Sequence, residues 1–493
     1  MTRLRIRIKG RVQGVGFRPF VYNLARRLDL KGFVQNSSQG VLIEVEGPAL
    51  KEFLKLLKTS PPPLAEIESI QTEELPPSGY NDFRIVKSAD EGSFTHVSPD
   101  VTICEDCLRE LLDPSDRRYL YPFINCTNCG PRYSITLSLP YDRPNTTMKV
   151  FKMCPDCERE YNDPSDRRFH AQPNACPVCG PHLEFELLNK GFDLPEVDDP
   201  LLKTIELLRK GAIVGIKGLG GFHLACNAED AHAVRTLRKR KGRGNKPFAL
   251  MAPDLETIEE FCYVDEKERT LLLSRQSPIV LLRKKPVPGF PADEIAPDNN
   301  YLGFMLSYTP LHYLLFLHPK ARGALKVLVM TSGNLSEEPI VHRDEDARKR
   351  LSHVVDAFLF HNRDIFMRVD DSVITKEFFI RRARGYVPEP VRLPFQTGQA
   401  LAVGADLKNT FALTSEGYAI VSQHIGDMEN LQSHQFFKEV LENLCGLYRI
   451  SPRYVIADLH PDYHSGRIAE EMALPLYRFQ HHEAHVGAVM AEC

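Results

Sequence analysis

The sequence lacks any segment that could cross a membrane, and it lacks a large excess of either charge. No run approaches the roughly 18 consecutive apolar residues of a membrane-spanning helix, and arginines interrupt the apolar residues of the N-terminus, unlike a secretion signal. The formal net charge of −3 argues against bulk coating of nucleic acid but leaves room for a local basic patch. These absences predict a cytoplasmic protein that works without a membrane.

The length and the sequence patterns predict a multidomain α+β protein. A chain of 493 residues is long enough for roughly three or four domains, each able to bury its own core. Polar, acidic or proline-containing stretches fall at Ser88–Pro99, at Glu184–Pro200 and around Pro388–Pro394. They divide the chain into four expected domains, at residues 1–90, 100–182, 200–393 and 398–493.

Eight of the 12 cysteines form four Cys-x-x-Cys pairs, and the second two pairs repeat the first two at a shift of fifty residues. The phrase Asp113-Pro-Ser-Asp-Arg-Arg118 also returns, as Asp163-Pro-Ser-Asp-Arg-Arg168. Within each copy the separation of the pairs fits the about 15–20 residues of tetrathiolate zinc sites, and cytoplasmic thiols stay reduced. We expect two structural zinc ions, although spacing leaves open whether the pairs combine within or between copies. The expected ligands are Cys104, Cys107, Cys126, Cys129, Cys154, Cys157, Cys176 and Cys179.

His170, in the phrase Phe169-His-Ala-Gln-Pro173, is a further candidate ligand in this region. Because eight cysteines already complete two tetrahedral shells, a place beside a ligand or at an interface is the better expectation for it.

The first domain joins a strand to a helix through a glycine-spaced loop, Gly10-Arg-Val-Gln-Gly-Val-Gly-Phe-Arg18. Apolar alternation and helical periodicity give the order β-α-β-β-α-β, which is the ferredoxin-like arrangement. A glycine loop that runs into a helix offers N–H groups to an anion, and Arg18 adds a cation. Asn36, in Gly32-Phe-Val-Gln-Asn36, could orient a water. These two phrases resemble the acylphosphatase family, which implies that Arg18 binds the phosphate and Asn36 positions the attacking water.

The third domain concentrates cations between Arg238 and Lys246, and the phrase Met330-Thr-Ser-Gly-Asn334 supplies hydroxyl and amide groups after a strand. A charge run is most often a solvated surface, but this one could line a pocket for polyphosphate. Together with the late arginines of Arg381–Tyr386, these motifs resemble the YrdC-like fold, which implies binding of ATP with Mg²⁺. By that resemblance, the ATP and adenylate ligands would be Lys241, Arg243, Lys246, Ser332, Asn334 and Arg384.

Near the end of the sequence, His481 and His485 would share one face of a helix and could hold a metal ion. Gly404-Ala-Asp-Leu-Lys-Asn-Thr-Phe411 resembles the first phosphate loop of the actin-like (ASKHA) ATPase fold. The His-x-x-x-His pair after it resembles the carbamoyl-transferring branch of that superfamily. Only about 95 residues follow Ala400, enough for the N-terminal lobe, so we expect a fragment or a truncated product.

The four resemblances, in this order, identify the chain with the carbamoyltransferases of nickel–iron hydrogenase maturation. That family implies hydrolysis of carbamoyl phosphate to carbamate, condensation with ATP to carbamoyl-adenylate, and transfer to the C-terminal cysteine of a HypE-like partner. The thiocarboxamide so formed is the precursor of the cyanide ligands. The duplicated zinc module is expected to be a rigid spacer between the two enzymatic domains.

Two alternatives remain at this point. A zinc-dependent RNA-binding protein would use the basic run near Lys241, but few aromatic residues are interleaved with that run, and nucleic acid is an unlikely partner. A tRNA threonylcarbamoyl-modification enzyme would share the YrdC-like domain, but the acylphosphatase-like unit and the duplicated cysteines disfavour it.

Overall fold

The computed structural model describes residues 2–37, 40–87, 96–194, 196–335 and 338–492. It contains three β-sheets and four hydrophobic cores. The predicted linker of residues 88–99 lies mostly outside the described residues. Among the described residues, no helix combines the length and apolarity that crossing a membrane requires.

The first unit is the predicted ferredoxin-like fold. Its elements are β1 (Arg3–Arg11), α1 (Phe17–Arg27), β2 (Lys31–Ser37), β3 (Gly40–Glu46), α2 (Leu50–Thr59), β4 (Glu66–Leu75) and β5 (Phe83–Ile85). The strand order β4-β1-β3-β2-β5 places β1 in the interior of the sheet, so the loop after β1 emerges next to the β2–β3 hairpin. Alternate residues of β1, including Ile6 and Ile8, are fully buried in the core beneath the helices.

The duplicated module has little regular structure, as expected for a fold held by metal ligands. Each copy contributes one short helix directly after its first cysteine, α3 (Glu105–Leu112) and α4 (Pro155–Asn162). Short 3₁₀ helices lie between the copies, at Tyr133–Ile135, Arg143–Asn145 and Thr147–Val150.

The third unit is an 11-stranded mixed sheet with a core on each face. The strand order is β16-β15-β11-β12-β9-β13-β8-β7-β14-β6, and β10 pairs with β11. Its strands are β6 (Leu183–Leu187), β7 (Val214–Lys217), β8 (Phe222–Asn227), β9 (Ala249–Ala252), β10 (Cys262–Tyr263), β11 (Ile279–Lys284), β12 (Tyr301–Leu306), β13 (Leu328–Ser332), β14 (Ala357–His361), β15 (Val373–Ile374) and β16 (Phe379–Arg381). Its helices are α5 (Pro200–Arg209), α6 (Ala231–Lys241), α7 (Leu255–Phe261), α8 (Glu266–Leu272), α9 (Ala292–Ile295), α10 (Pro310–Leu317) and α11 (Asp344–Leu351).

One face of this sheet shares its core with the first copy of the zinc module. Leu111, Phe123 and Ile124 belong to the same buried cluster as Met251 and Met330 of the sheet. The module is therefore packed directly against the sheet.

The last unit is a six-stranded sheet in the order β17-β20-β19-β18-β21-β22. Its elements are β17 (Val391–Arg392), β18 (Ala400–Ala402), β19 (Ala412–Ser415), β20 (Tyr418–Val421), α12 (Leu431–Tyr448), β21 (Tyr454–Asp458), α13 (His464–Glu471), β22 (Leu476–Phe479) and α14 (His481–Glu492). Parallel pairing of β18 with β21 and of β21 with β22 follows the expected α/β lobe.

Two predicted boundaries shift. The first four residues of the predicted linker, 184–187, belong to β6, which pairs with β14 because its apolar residues alternate with the glutamates. Val391 and Arg392 pair with β20, so the last sheet begins before residue 398.

Candidate functional site

The eight expected zinc ligands group within each copy and not between copies, which is the point that spacing left open. Cys104, Cys107, Cys126 and Cys129 form one cluster and Cys154, Cys157, Cys176 and Cys179 the other, with the four sulfurs of each within 4.8 Å of one another. The Sγ–Sγ distances are 3.6 Å and 3.8 Å in the first cluster and 3.7 Å and 3.8 Å in the second. A tetrahedral ion with Zn–S bonds of about 2.3 Å requires sulfurs about 3.8 Å apart. Both clusters therefore fit structural zinc.

The two copies exchange charged side chains across their interface. Arg117 of the first copy donates to Cys157 Sγ at 3.3 Å, and Arg167 of the second copy donates to Cys107 Sγ at 3.3 Å. The same arginines pair with Glu160 and Glu110, respectively, in the opposite copy. A tetrathiolate zinc site carries net negative charge, so each copy supplies cationic compensation to its neighbour's metal site.

The loop between β1 and α1 is held in the shape of an anion site. Gly14 and Gly16 adopt φ of 70° and 75°, which other residues rarely adopt, and α1 begins directly after Gly16. Gln13 Nε2 donates to the Ser37 carbonyl at 2.6 Å and to the Gly40 carbonyl at 2.9 Å, which fixes the loop against the β2–β3 hairpin.

Arg18 and Asn36 line one small cavity at this loop, as the sequence predicts. Burial lowers the pKa of Arg18, while the charge of Asp142 opposes that effect, with Nη2 to Oδ1 at 3.7 Å. Asn36 is 5% exposed, and its Oδ1 is buried without a hydrogen-bond partner among the described residues. An unpaired buried carbonyl oxygen is costly, so this atom is suited to a ligand or a water.

The other wall of this cavity comes from the zinc module, which the sequence did not indicate. Arg132 Nε donates to the Gly14 carbonyl at 3.0 Å, and Thr127, Tyr141 and His170 line the cavity opposite the loop. These residues are far from Arg18 in the sequence and carry no recognisable motif. The only indication in the sequence was the interface position expected for His170. Because the module lines this cavity, it is more than the rigid spacer that the sequence predicts.

A second cavity, of about 540 Å³, lies at the third unit, and five of its six predicted ligands line it. Lys241 is buried, donates to the Ser332 carbonyl, and donates to Asn334 Oδ1 at 2.8 Å. Ser332 Oγ donates to the same Asn334 oxygen at 3.0 Å. Burial and the nearby charge of Arg243 lower the pKa of Lys241 well below its usual value. An anion in the cavity would therefore be needed to favour the charged form of Lys241.

Arg243 and Lys246 also line this cavity, in the loop that follows α6. Arg243 is held in place by hydrogen bonds to the Lys246 carbonyl at 3.0 Å and the Pro247 carbonyl at 2.6 Å. These two cations of the basic run therefore line a cavity, whereas RNA binding would require an exposed basic surface.

Arg384 is the exception among the predicted phosphate ligands. Its side chain is 1% exposed and does not belong to the cavity lining. Its Nε donates to Asp371 Oδ1 at 2.7 Å, and its guanidinium lies 3.5 Å from the centre of the Tyr308 ring. Burial raises the pKa of Asp371, but the charge of Arg384 and the hydrogen bond from His223 outweigh that effect and hold this pKa below its usual value. Asp371, which does line the cavity, neutralises Arg384 behind it, so the phosphate contact of Arg384 stays a prediction.

The last unit forms one wall of the large cavity, which the sequence revealed only in part. Lys408, His424 and Asp427 face Lys246 and Arg381 across it. Burial, together with the charges of Arg381 and Lys408, lowers the pKa of His424 to about 3, so this imidazole is neutral near pH 7. Lys408 belongs to the phosphate-loop phrase, so part of this wall was visible in the sequence.

His481 and His485 lie at the start of α14, with their Nε2 atoms 3.0 Å apart. Asp458 Oδ2 lies 3.2 Å from His481 Nδ1 and adds an oxygen donor. Among the described residues, however, only the two cysteine clusters bring three or more possible ligand atoms within 4.8 Å of one another. The further metal ion therefore stays a prediction.

Comparisons with known proteins agree with the four units. Family models match as Acylphosphatase at residues 4–85, HypF finger at 103–136 and 153–186, Telomere recombination (the Sua5, YciO and YrdC family) at 206–383, and HypF Kae1-like domain at 396–492.

Relatives match across almost the whole chain. A carbamoyltransferase HypF from a Synechocystis species is 50% identical over 99% of this chain and 64% of its own length. One from Rhizobium leguminosarum bv. viciae is 47% identical over 100% of this chain and 64% of its own length. The crystal structure of full-length HypF in a phosphate- and nucleotide-bound form superposes with a TM-score of 0.94 at 49% identity, covering 100% of this chain and 64% of that one. The chain thus spans somewhat less than two thirds of the length of these relatives, and over that span it belongs to the HypF family.

Proposed function

We propose that this chain carries the carbamoyl-phosphate and ATP chemistry of a carbamoyltransferase. The relatives named above carry that activity in their names. The observation that carries the proposal is a pair of separate cavities in one chain, each with cationic side chains in its lining. One contains Arg18 with the unpaired Asn36 oxygen, and the other gathers Lys241, Arg243 and Lys246.

In the first cavity, Arg18 and the loop N–H groups would bind the phosphate of carbamoyl phosphate. Asn36 Oδ1 would accept a hydrogen bond from the attacking water and hold it in line with the phosphorus. Attack by water forms a new P–O bond and breaks the bond to the carbamoyl oxygen, which releases carbamate and inorganic phosphate. The partial burial of the site keeps these groups oriented before the substrate arrives.

In the second cavity, ATP would bind with its phosphates toward the cations. A carbamate oxygen would attack the α-phosphorus, which forms carbamoyl-adenylate and expels pyrophosphate. Lys241, Arg243 and Lys246 would stabilise the negative charge that moves onto the leaving group. Mg²⁺ would accompany the nucleotide and neutralise part of its charge, beside the cavity carboxylates of Asp370 and Asp427.

Transfer would follow at the last unit. The thiol of a partner's C-terminal cysteine, on a protein of the HypE kind, would attack the carbamoyl carbon and release AMP. His481 and His485, with Asp458, would hold a metal ion, which would supply a Lewis acid. The walls that the third and last units contribute to the large cavity would limit loss of the reactive adenylate to water.

The test is the release of AMP and pyrophosphate from ATP, measured with and without carbamoyl phosphate. Arg18→Ala should lower carbamoyl-phosphate hydrolysis about 10²–10³-fold, because it removes the main phosphate ligand. The control is Arg27→Ala, on the same helix but exposed, which should leave the rate unchanged. Hydrolysis that is equal in the two variants would remove the acylphosphatase assignment.

A further inference from the structure

The two copies of the zinc module differ where they meet their neighbours. At a shift of fifty residues, Leu111 corresponds to Tyr161, Leu120 to His170 and Pro122 to Gln172. The cysteines and the Asp-Pro-Ser-Asp-Arg-Arg phrase are identical in the two copies. At all three positions the first copy has an apolar residue and the second copy has a residue with a polar group.

In the first copy these positions serve packing. Leu111 is fully buried in the core shared with the large sheet, and Leu120 packs against the same core. In the second copy, His170 and Gln172 line the cavity of Arg18 and Asn36. Tyr161 lies behind them, stacked on the His170 ring with centroids 5.2 Å apart and planes 13° apart.

The backbone is the same at the two central positions. His170 has φ of 56° and Leu120 has φ of 57°, the left-handed conformation that is uncommon outside glycine. The histidine is therefore not required by the turn, because leucine takes the same conformation in the first copy. What the histidine adds is its ring nitrogens.

In the part of this wall that the second copy forms, the ring nitrogens of His170 are polar atoms left for a ligand. Gln172 Oε1 accepts from the Arg143 N–H at 2.7 Å and from the Tyr161 hydroxyl at 2.7 Å, and Gln172 Nε2 donates to the His170 carbonyl at 3.0 Å. Gln172 and Tyr161 are thus occupied with each other. Within the part of the chain that the structure describes, neither ring nitrogen of His170 makes a hydrogen bond of its own. Burial, together with the charge of Arg18, lowers the pKa of His170 to about 4. A neutral imidazole keeps one nitrogen as an acceptor.

We propose that His170 is a specificity-determining residue of the acyl-phosphate site, accepting a hydrogen bond from the amino group of carbamoyl phosphate. The proposal rests on the proposed function, since it needs that substrate in the cavity of Arg18. Acetyl phosphate has the same phosphate and carbonyl groups, but a methyl group replaces the amino group. A site that is built around an acceptor selects against the analogue that lacks the donor.

The experiment measures kcat/KM of the full zinc-loaded chain for carbamoyl phosphate and for acetyl phosphate. His170→Leu reproduces the first copy and should lower kcat/KM about tenfold to hundredfold for carbamoyl phosphate, with acetyl phosphate changed less than about twofold. His170→Asn tolerates the same backbone and retains an acceptor, so it should keep most of the preference. Leu120→His is the matched control in the other copy and should leave the ratio of the two constants unchanged.

An unchanged ratio in His170→Leu, with two zinc ions still bound, would overturn the proposal. Equal loss toward both substrates would also overturn it, because a structural role explains that result. If the leucine variant loses zinc, His170→Phe, which keeps a ring to stack on Tyr161 without a nitrogen, decides the question by the same ratio. A wild-type chain that hydrolyses neither substrate would instead contradict the proposed function itself.

Discussion

The two copies of the zinc module share one metal framework but have different neighbours. Each groups four cysteines in a cluster that fits one zinc ion, and two arginines of each copy pair with a glutamate of the other. The first copy packs beneath the large sheet and also contributes Thr127 and Arg132 to the cavity of Arg18. The second copy contributes His170 and Gln172 to that cavity and contacts α1, where Asn23 Nδ2 donates to the Pro164 carbonyl at 2.9 Å. Both copies thus keep the cysteines and the arginine–glutamate pairs that join them. The residues that face the enzymatic units differ between the copies.

Loss of one zinc ligand should have the largest effect and tests whether the copies are independent. Structural zinc contributes apparent free energies of about 10–16 kcal/mol in zinc-finger peptides, and each copy holds charged groups of the other. Cys107→Ala and Cys157→Ala should therefore each release both zinc ions and expose residues 100–182 to protease. The measurements are metal content and limited proteolysis, with half-buried Cys445→Ala as the control. A variant that keeps one ion and one protected copy would show that the copies fold separately.

Removal of an arginine that pairs with a glutamate of the other copy (a crossing pair) should have the next largest effect on stability. Arg118 is 1% exposed and Arg168 is 4% exposed, and each pairs with the glutamate of the opposite copy. Arg118→Ala and Arg168→Ala should each lower the free energy of unfolding by about 1.5–3 kcal/mol. Each glutamate keeps only one of its two arginine partners, and the buried carbonyls of Ala175 and Asn125 lose their donors.

The first copy also supplies the control for this prediction. Arg109 pairs with Asp106 within one helix, and both side chains are more than half exposed. Arg109→Ala should therefore cost less than about 1 kcal/mol in denaturant unfolding. Equal losses for Arg109 and Arg118 would remove the argument that the crossing pairs join the copies.

The smallest predicted effect is a pH dependence that only the second copy contributes. His170 has a folded pKa of about 4, below the value of about 6.5 expected for the unfolded chain. Between these values the unfolded state binds the extra proton, so this group stabilises the fold fully above about pH 6.5 and loses that contribution as pH falls toward 4. After allowance for its partial exposure, we expect a loss of about 1 kcal/mol from pH 7 to pH 5.

The same unfolding measurements on His170→Leu should show a pH slope smaller by that amount, because leucine cannot titrate. Leu120→His should not restore the slope unless its ring is equally buried. A slope that is unchanged in His170→Leu would mean that His170 is protonated in the fold.

Local motifs could be predicted from the sequence because their chemistry depends on spacing along the chain. The cysteine pairs, the glycine loop with Arg18 and the strand-end group of Ser332 and Asn334 are of this kind. The burial of Arg384 against Asp371 could not be predicted, because a cluster of arginines does not reveal which side chain pairs with a carboxylate in the interior. The strand β6 was visible as an alternating pattern, but its acidity suggested a linker. The cavity walls formed by Tyr141, His170 and His424 depend on contacts between distant segments, which no local pattern encodes.

The central claim is that the second copy of the zinc module forms part of the acyl-phosphate site. It is tested most directly by the ratio of kcat/KM for carbamoyl phosphate over acetyl phosphate, measured on the zinc-loaded chain and after removal of both ions. None of the zinc ligands lines the cavity of Arg18 and Asn36, so a passive spacer predicts the same ratio in both states. If the second copy is part of the site, the ratio should fall at least about tenfold when zinc is removed, because the wall with His170 is lost. A ratio that survives complete removal of zinc would contradict it.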